Sequence, residues 1–121
     1  MNNRSITFID LFAGAGGLSE GFVANGGFVP VAHVEMNRHA AMTLKTRTCY
    51  YYLRENNRLE EYRSYIRGEI TRDELFARMP IGMLETVINR EISDETTPEI
   101  FNSIDGILQN ANIQNVDIII G

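Results

Sequence analysis

The sequence predicts an α/β fold built on a partial, doubly wound parallel sheet of about four strands. Three observations carry this. Ile6 to Phe12 is a short apolar run, read as a strand buried on both faces, that breaks abruptly into a glycine cluster. Strand-like and helix-like stretches then alternate as strand, helix, strand, helix within the first 48 residues. A last β-branched run, Val116-Asp117-Ile118-Ile119-Ile120, reads as another buried strand of the same sheet.

Each element has its own local reason. After the glycines, Leu18, Phe22 and Val23 share one side of a helix that Gly26-Gly27 closes. Residues 28–35 form a second strand, in which Pro30 suggests an edge or first-residue position. Asn37 caps a helix expected from Arg38 to about Arg47, with Ala41 and Leu44 inward. The stretch from about 49 to 80 breaks the rhythm and is expected as a helical insertion within one domain, residues 1–121. There Leu59, Tyr62 and Ile66 share a face ahead of Gly68, and Thr71-Arg72-Asp73-Glu74 is a capping box before a helix that Pro80 ends. Thr86-Val87-Ile88-Asn89 is strand-like. Thr97 as cap, with Pro98 in the first turn, starts a helix whose apolar stripe is Ile100, Phe101, Ile104, Leu108 and Ala111.

Composition narrows the function classes. The chain is 44% hydrophobic and 22% charged over 121 residues, ordinary for one globular domain. No apolar run approaches the roughly 20 residues of a membrane span. The polar start, Met1-Asn2-Asn3-Arg4-Ser5, resembles no signal peptide, so a cytoplasmic location is expected. One cysteine, Cys49, permits no internal disulfide and no metal cluster. The net charge is −5 and Lys45 is the only lysine, so no basic stripe for phosphates is visible. Any surface that grips nucleic acid is expected outside these residues.

The chemistry gathers at the first turn. Gly14, Gly16, Gly17 and Gly21 allow positive φ and close backbone approach to a ligand, or serve only a tight strand-to-helix turn. Gly14-x-Gly16 fits a dinucleotide fingerprint, but Ser19 stands where its third glycine belongs. Glu35 ends the second strand about 20 residues past Gly14, where a carboxylate accepts both hydroxyls of a ribose. Otherwise it is a solvated acid. Met36 offers a thioether surface to an adenine face, or simple packing. Cys49 has no setting that would lower its pKa and is expected as a buried, inert thiol. His33 reads as a strand residue and His39 as a helix-surface one. No catalytic triad, zinc-ligand pair or P-loop is present.

Phe8-Ile9-Asp10-Leu11-Phe12-Ala13-Gly14-Ala15-Gly16-Gly17 resembles the first conserved block of the DNA (cytosine-5) methyltransferases. Val34-Glu35-Met36-Asn37-Arg38-His39-Ala40-Ala41 resembles the second block, and Val116 to Gly121 the strand leading into the fourth. Residues from about 49 to 85 resemble none of the blocks. The resemblance implies a Rossmann-like, S-adenosylmethionine-dependent methyltransferase fold with S-adenosyl-L-methionine as cofactor. It implies that Phe12 stacks on the cofactor, that backbone at Gly14, Ala15, Gly17 and Leu18 surrounds its methionine part, and that Glu35 binds the ribose diol while Met36 covers the adenine. Glu91-Ile92 is the best match to the acid-plus-apolar pair of the third block, with glutamate in place of the usual aspartate.

In the family the fourth block continues with a Pro-Cys-Gln loop that holds the catalytic cysteine, and the sequence stops at Gly121, ahead of it. The expectation is therefore the N-terminal cofactor-binding part of a restriction-modification type enzyme, with no catalytic residue and no metal site of its own. It would meet DNA only through the rest of the enzyme and be inactive alone. Two alternatives stand beside it: a non-enzymatic half that pairs with a second chain, or with itself, along an exposed sheet edge, and a fragment of a small-molecule or RNA methyltransferase.

Overall fold

The computed structural model describes residues 5–14, 17–24 and 26–121. In chain order it contains β1 (Ile6–Asp10), α1 (Gly17–Ala24), β2 (Phe28–Val34), α2 (Arg38–Glu55), α3 (Leu59–Ile66), α4 (Arg72–Ala77), a 3-10 turn (Leu84–Thr86), β3 (Val87–Ile88), α5 (Thr97–Asn110) and β4 (Ile118–Ile120). The four strands form one sheet in the order β3-β2-β1-β4, with every pairing parallel. This is the α/β, Rossmann-like arrangement the sequence leads one to expect.

Successive side chains of β1 point to opposite faces, and each face has its own helices. The Phe8 ring packs on Phe22 of α1 at 5.4 Å, and Phe22 packs edge-on to Phe28 at 5.0 Å. Ile9 instead joins Val31, Val34 and Ile88 in a cluster with Ile100 and Ile104 of α5. Ala41 and Leu44 of α2 close on Ala13 and Val87. A satellite core of Cys49, Leu53, Leu75 and Met79 fastens the far half of α2 to α4.

Several local expectations shift. Helix α2 runs to Glu55 rather than about Arg47. No glycine or proline interrupts it, and the hydroxyls of Thr43, Thr46 and Thr48 donate to the carbonyls of His39, Met42 and Leu44, satisfying themselves within the helix. Asn37 caps its start as expected, accepting from Ala40 N at 2.9 Å. The Thr71–Glu74 capping box is present in full. Pro30 lies in an internal strand, not an edge strand. Its neighbour β3 pairs only with His33 and Val34, and the β1–β2 register slips just beyond the Phe8–Pro30 pair. A residue without an N–H is tolerated at such an irregular, half-unpaired place.

Helix α5 starts one residue after Thr96, which exchanges hydrogen bonds with Ser93 (2.9 and 3.2 Å), so Thr96 rather than Thr97 occupies the cap. The expected stripe narrows to Ile100 and Ile104, with Leu108 half-buried and Phe101 and Ala111 exposed. Ile66, on the face shared with Leu59 and Tyr62 of α3, is exposed. β4 is shorter than expected and lies at a sheet edge with Ile119 63% exposed, so it is not a buried strand. Beside it, Asp117 accepts from Thr7 N (2.9 Å) and Thr7 Oγ1 (3.1 Å) in place of strand pairing.

Candidate functional site

The chain builds β1, β2 and β3 outward in one direction, then crosses back to lay β4 on the other side of β1. Ligands of open parallel sheets sit beyond the carboxyl ends of the strands where the order reverses, here between β1 and β4. Three backbone hydrogen bonds draw the strand ends together. Leu11 N donates to Ile120 O (2.8 Å), Ala13 N to Val34 O (3.1 Å) and Glu35 N to Ile88 O (2.9 Å). The glycine turn after β1 is thereby held against the end of β2.

At this place Gly14 adopts φ +56°, a conformation that favours glycine. Ala15, a predicted cofactor contact, lies outside the described residues, as does Gly16. Gly17 and Leu18 open α1, where the first N–H groups have no partner within the helix. A Cβ added at Gly14 or Gly17 would meet no other atom within 4 Å, so protein packing does not require the glycine at Gly17. That space is open to a ligand. Phe12 is 69% exposed, and Leu18 and Met36 are similarly bare. All three lie just after or near the carboxyl ends of β1 and β2 in the chain.

Two carboxylates at these strand ends each keep one buried oxygen without a partner. Glu35, half-buried, has no hydrogen-bond partner for its buried Oε2. Asp10, 1% exposed at the end of β1, accepts from Phe12 N through Oδ1 (3.3 Å), while Oδ2 is unpartnered. Burial first, and the nearby Glu35 charge in addition, raise the Asp10 pKa against the lowering effect of the Phe12 N–H. Two buried carboxylate oxygens without donors are costly in a protein alone and suit a ligand rich in hydroxyl or cationic donors. Asp10 was not among the expected site residues. Its signal in the sequence was an acid closing an otherwise apolar strand.

A second unexpected residue is Asn89, directly after β3. Its amide donates to Glu35 O (2.8 Å) and Met36 O (3.0 Å). The Glu91-Ile92 pair lies a few residues beyond. Glu91 is exposed and its carbonyl accepts from the Thr96 hydroxyl at 2.5 Å. Ile92 packs against the α5 core cluster. Gly121, following β4, touches the Phe12 ring: a Cβ there would stand 3.0 Å from Phe12 Cδ2.

The other reactive side chains are held away from chemistry. Cys49 is fully buried, and burial pushes its thiol up to about 11. His33 is a buried strand residue whose pKa burial lowers to about 4, and His39 is exposed on α2. No group of three or more potential metal-ligating side chains occurs among the described residues. No helix among them is long and apolar enough to cross a membrane. Arginines of the helical stretch are largely ion-paired, as in Arg58–Glu61 and Arg67–Glu60 (2.5 and 2.7 Å). A cavity of about 500 Å³ lies between α2 and α3, lined by Tyr50, Tyr51, Tyr62, Tyr65 and Arg72. It includes none of the expected cofactor contacts.

Residues 6–74, more than half of the chain, match the family model described as C-5 cytosine-specific DNA methylase. The chain is 38% identical over 130 aligned positions to the Type II methyltransferase M.Bpa9945I of Bacillus paralicheniformis (strain ATCC 9945a / NCIMB 11709 / CD-2). That alignment covers 93% of this chain and 29% of the relative, so the chain spans less than a third of its length. No solved structure gives a significant match.

Proposed function

Because the chain belongs to the C-5 cytosine-specific DNA methylase family, we propose that its residues form the S-adenosyl-L-methionine side of a DNA (cytosine-5) methyltransferase. The observation that carries this is the pair of unpartnered buried oxygens, Glu35 Oε2 and Asp10 Oδ2, beside open glycines at the reversal of the sheet. When bound, this cofactor supplies a methyl group made electrophilic by its sulfonium. Everything else falls to the protein.

Glu35 accepts the ribose hydroxyls, and the Asp10 carboxylate draws a cationic group of the ligand toward the end of β1. Phe12 and Met36 give the apolar surfaces that exclude water from the adenosine. Backbone at Gly14, Ala15, Gly17 and Leu18 surrounds the methionine part, using the unpaired N–H groups at the start of α1. Glu91 offers its carboxylate to the adenine amino group, and Ile92 anchors the loop that carries it by packing into the core.

The parent reaction is methyl transfer to carbon 5 of cytosine in DNA, and the Type II name of the relative favours a restriction-modification setting in the cytoplasm. The attacking thiolate and the DNA-gripping surface belong to residues other than these 121. Their one cysteine, Cys49, is closed into the α2–α4 core. By itself the chain therefore binds cofactor weakly and transfers no methyl group. The exposed β4 edge favours completion by further strands, from the same polypeptide or a complementary one. Titration calorimetry with S-adenosyl-L-methionine tests the reading: binding that Glu35→Ala abolishes supports it. Tight binding indifferent to that change, or methylation of DNA by the purified chain, overturns it.

A further inference from the structure

Beyond Val34 a single backbone bond to β3 is left, yet the next two residues are the ones read as holding ribose and adenine. Glu35 N is spent on Ile88 O. The carbonyls of Glu35 and Met36 receive instead the side-chain amide of Asn89, at 2.8 and 3.0 Å. β3 is only two residues long and pairs with His33 and Val34 alone. Asn89 thus continues the grip of β3 on the β2 end by one side chain, past the point where backbone pairing stops.

We propose that Asn89 is a positioning residue: its amide bridges two successive carbonyls and fixes the backbone from which the Glu35 carboxylate and the Met36 thioether project. This rests on the reading of Glu35 as the ribose ligand. The chemistry of the bridge is one-sided, since both partners are acceptors. Aspartate has nearly the shape of asparagine but has only acceptors when ionised, so it repels both carbonyls. Alanine leaves them to water. Asn89, Met36 and the loop around them are exposed, so water replaces the lost bonds at little cost to folding. A ligand must then order two residues that were held in advance, a penalty of about 5- to 30-fold in affinity.

The test is calorimetric titration of the chain with S-adenosyl-L-homocysteine for parent, Asn89→Ala, Asn89→Asp, Glu35→Gln and the Asn89→Asp/Glu35→Gln double variant, with melting curves for each. The expected result is weaker binding for Asn89→Asp than for Asn89→Ala, melting points within a few degrees of the parent, and strong non-additivity with Glu35→Gln. Once the carboxylate is gone, holding it in place no longer matters and only the placing of Met36 remains. If Glu35→Gln weakens binding and Asn89→Asp does not, the positioning role is wrong and the cofactor reading stands. Full additivity, or a loss of affinity that tracks a lowered melting point, also overturns the role. If Glu35→Gln itself leaves binding unchanged, the cofactor reading fails first.

Discussion

Replacing Glu35 by glutamine should move stability and binding in opposite directions. In the free chain, Glu35 Oε2 is buried without a donor, and its charge lies near the equally orphaned Asp10, which it helps to push toward protonation. The amide of glutamine carries no charge, so Glu35→Gln removes the repulsion and reduces the desolvation penalty. Relief of one such group is worth about 1 kcal/mol, at the low end of the range for an unsatisfied buried atom. For a domain of this size that corresponds to about 4 °C in Tm. Ligand binding should suffer for the same reason that the free protein gains. Two charge-assisted hydrogen bonds to the ribose diol become at most one neutral acceptor, a loss of about 2–3 kcal/mol, or roughly 30- to 150-fold in Kd. Differential scanning calorimetry and titration with S-adenosyl-L-homocysteine measure the two effects on the same samples. A Glu35→Gln variant that melts below the parent, or that binds as tightly, would refute the assignment of those orphaned oxygens to a ligand.

Three further outcomes follow from the buried groups around the site. The His33 pKa lies at about 4 in the fold against 6.5 unfolded, so the unfolded chain binds more protons between these values. Stability present above pH 6.5 is lost as pH falls toward 4, by at most about 3 kcal/mol. Asp10, raised in the fold, works in the opposite sense at lower pH, so the His33 contribution is read as the difference in urea midpoint between parent and His33→Phe; parallel profiles would contradict it. Cys49, fully buried with its thiol near 11, should resist a disulfide reagent at neutral pH until the chain unfolds, and Cys49→Ser should leave cofactor binding intact. Rapid modification of the native chain would place the thiol elsewhere. Gly121→Ala puts a methyl 3.0 Å from the Phe12 ring and should displace it, weakening cofactor binding several-fold while Tm changes by a few degrees at most; an unchanged Kd would show that Phe12 takes no part.

Much of this protein was legible along the chain because its signals are local. An asparagine cap at Asn37 and a capping box at Thr71 each depend on a few neighbouring residues and form as read, and the first apolar run forms a strand, though it stops at Asp10 and leaves Ile6 and Phe12 exposed. The family, too, is carried by contiguous blocks around Phe8–Gly17 and Glu35, the region its model matches. Length was harder to read: nothing near Arg47 stops α2, and only the packing of Cys49 and Leu53 on Leu75 shows why the helix continues to Glu55.

What no local pattern contains is which strand ends meet. The crossing from β3 back to β4 places β1 between β2 and β4, sets Gly121 against Phe12, and leaves Ile119 on an open edge though its run reads as buried. The pairing of β2 with β1 and with β3 brings Asp10 near Glu35 and Asn89 onto two carbonyls more than 50 residues away. By itself the sequence determined the turn, the acid at the end of the second strand and the family. The tertiary structure alone decided which polar atoms at those strand ends find partners within the chain. That depends on sheet order and register, which arise from long-range pairing rather than from the spacing of residues.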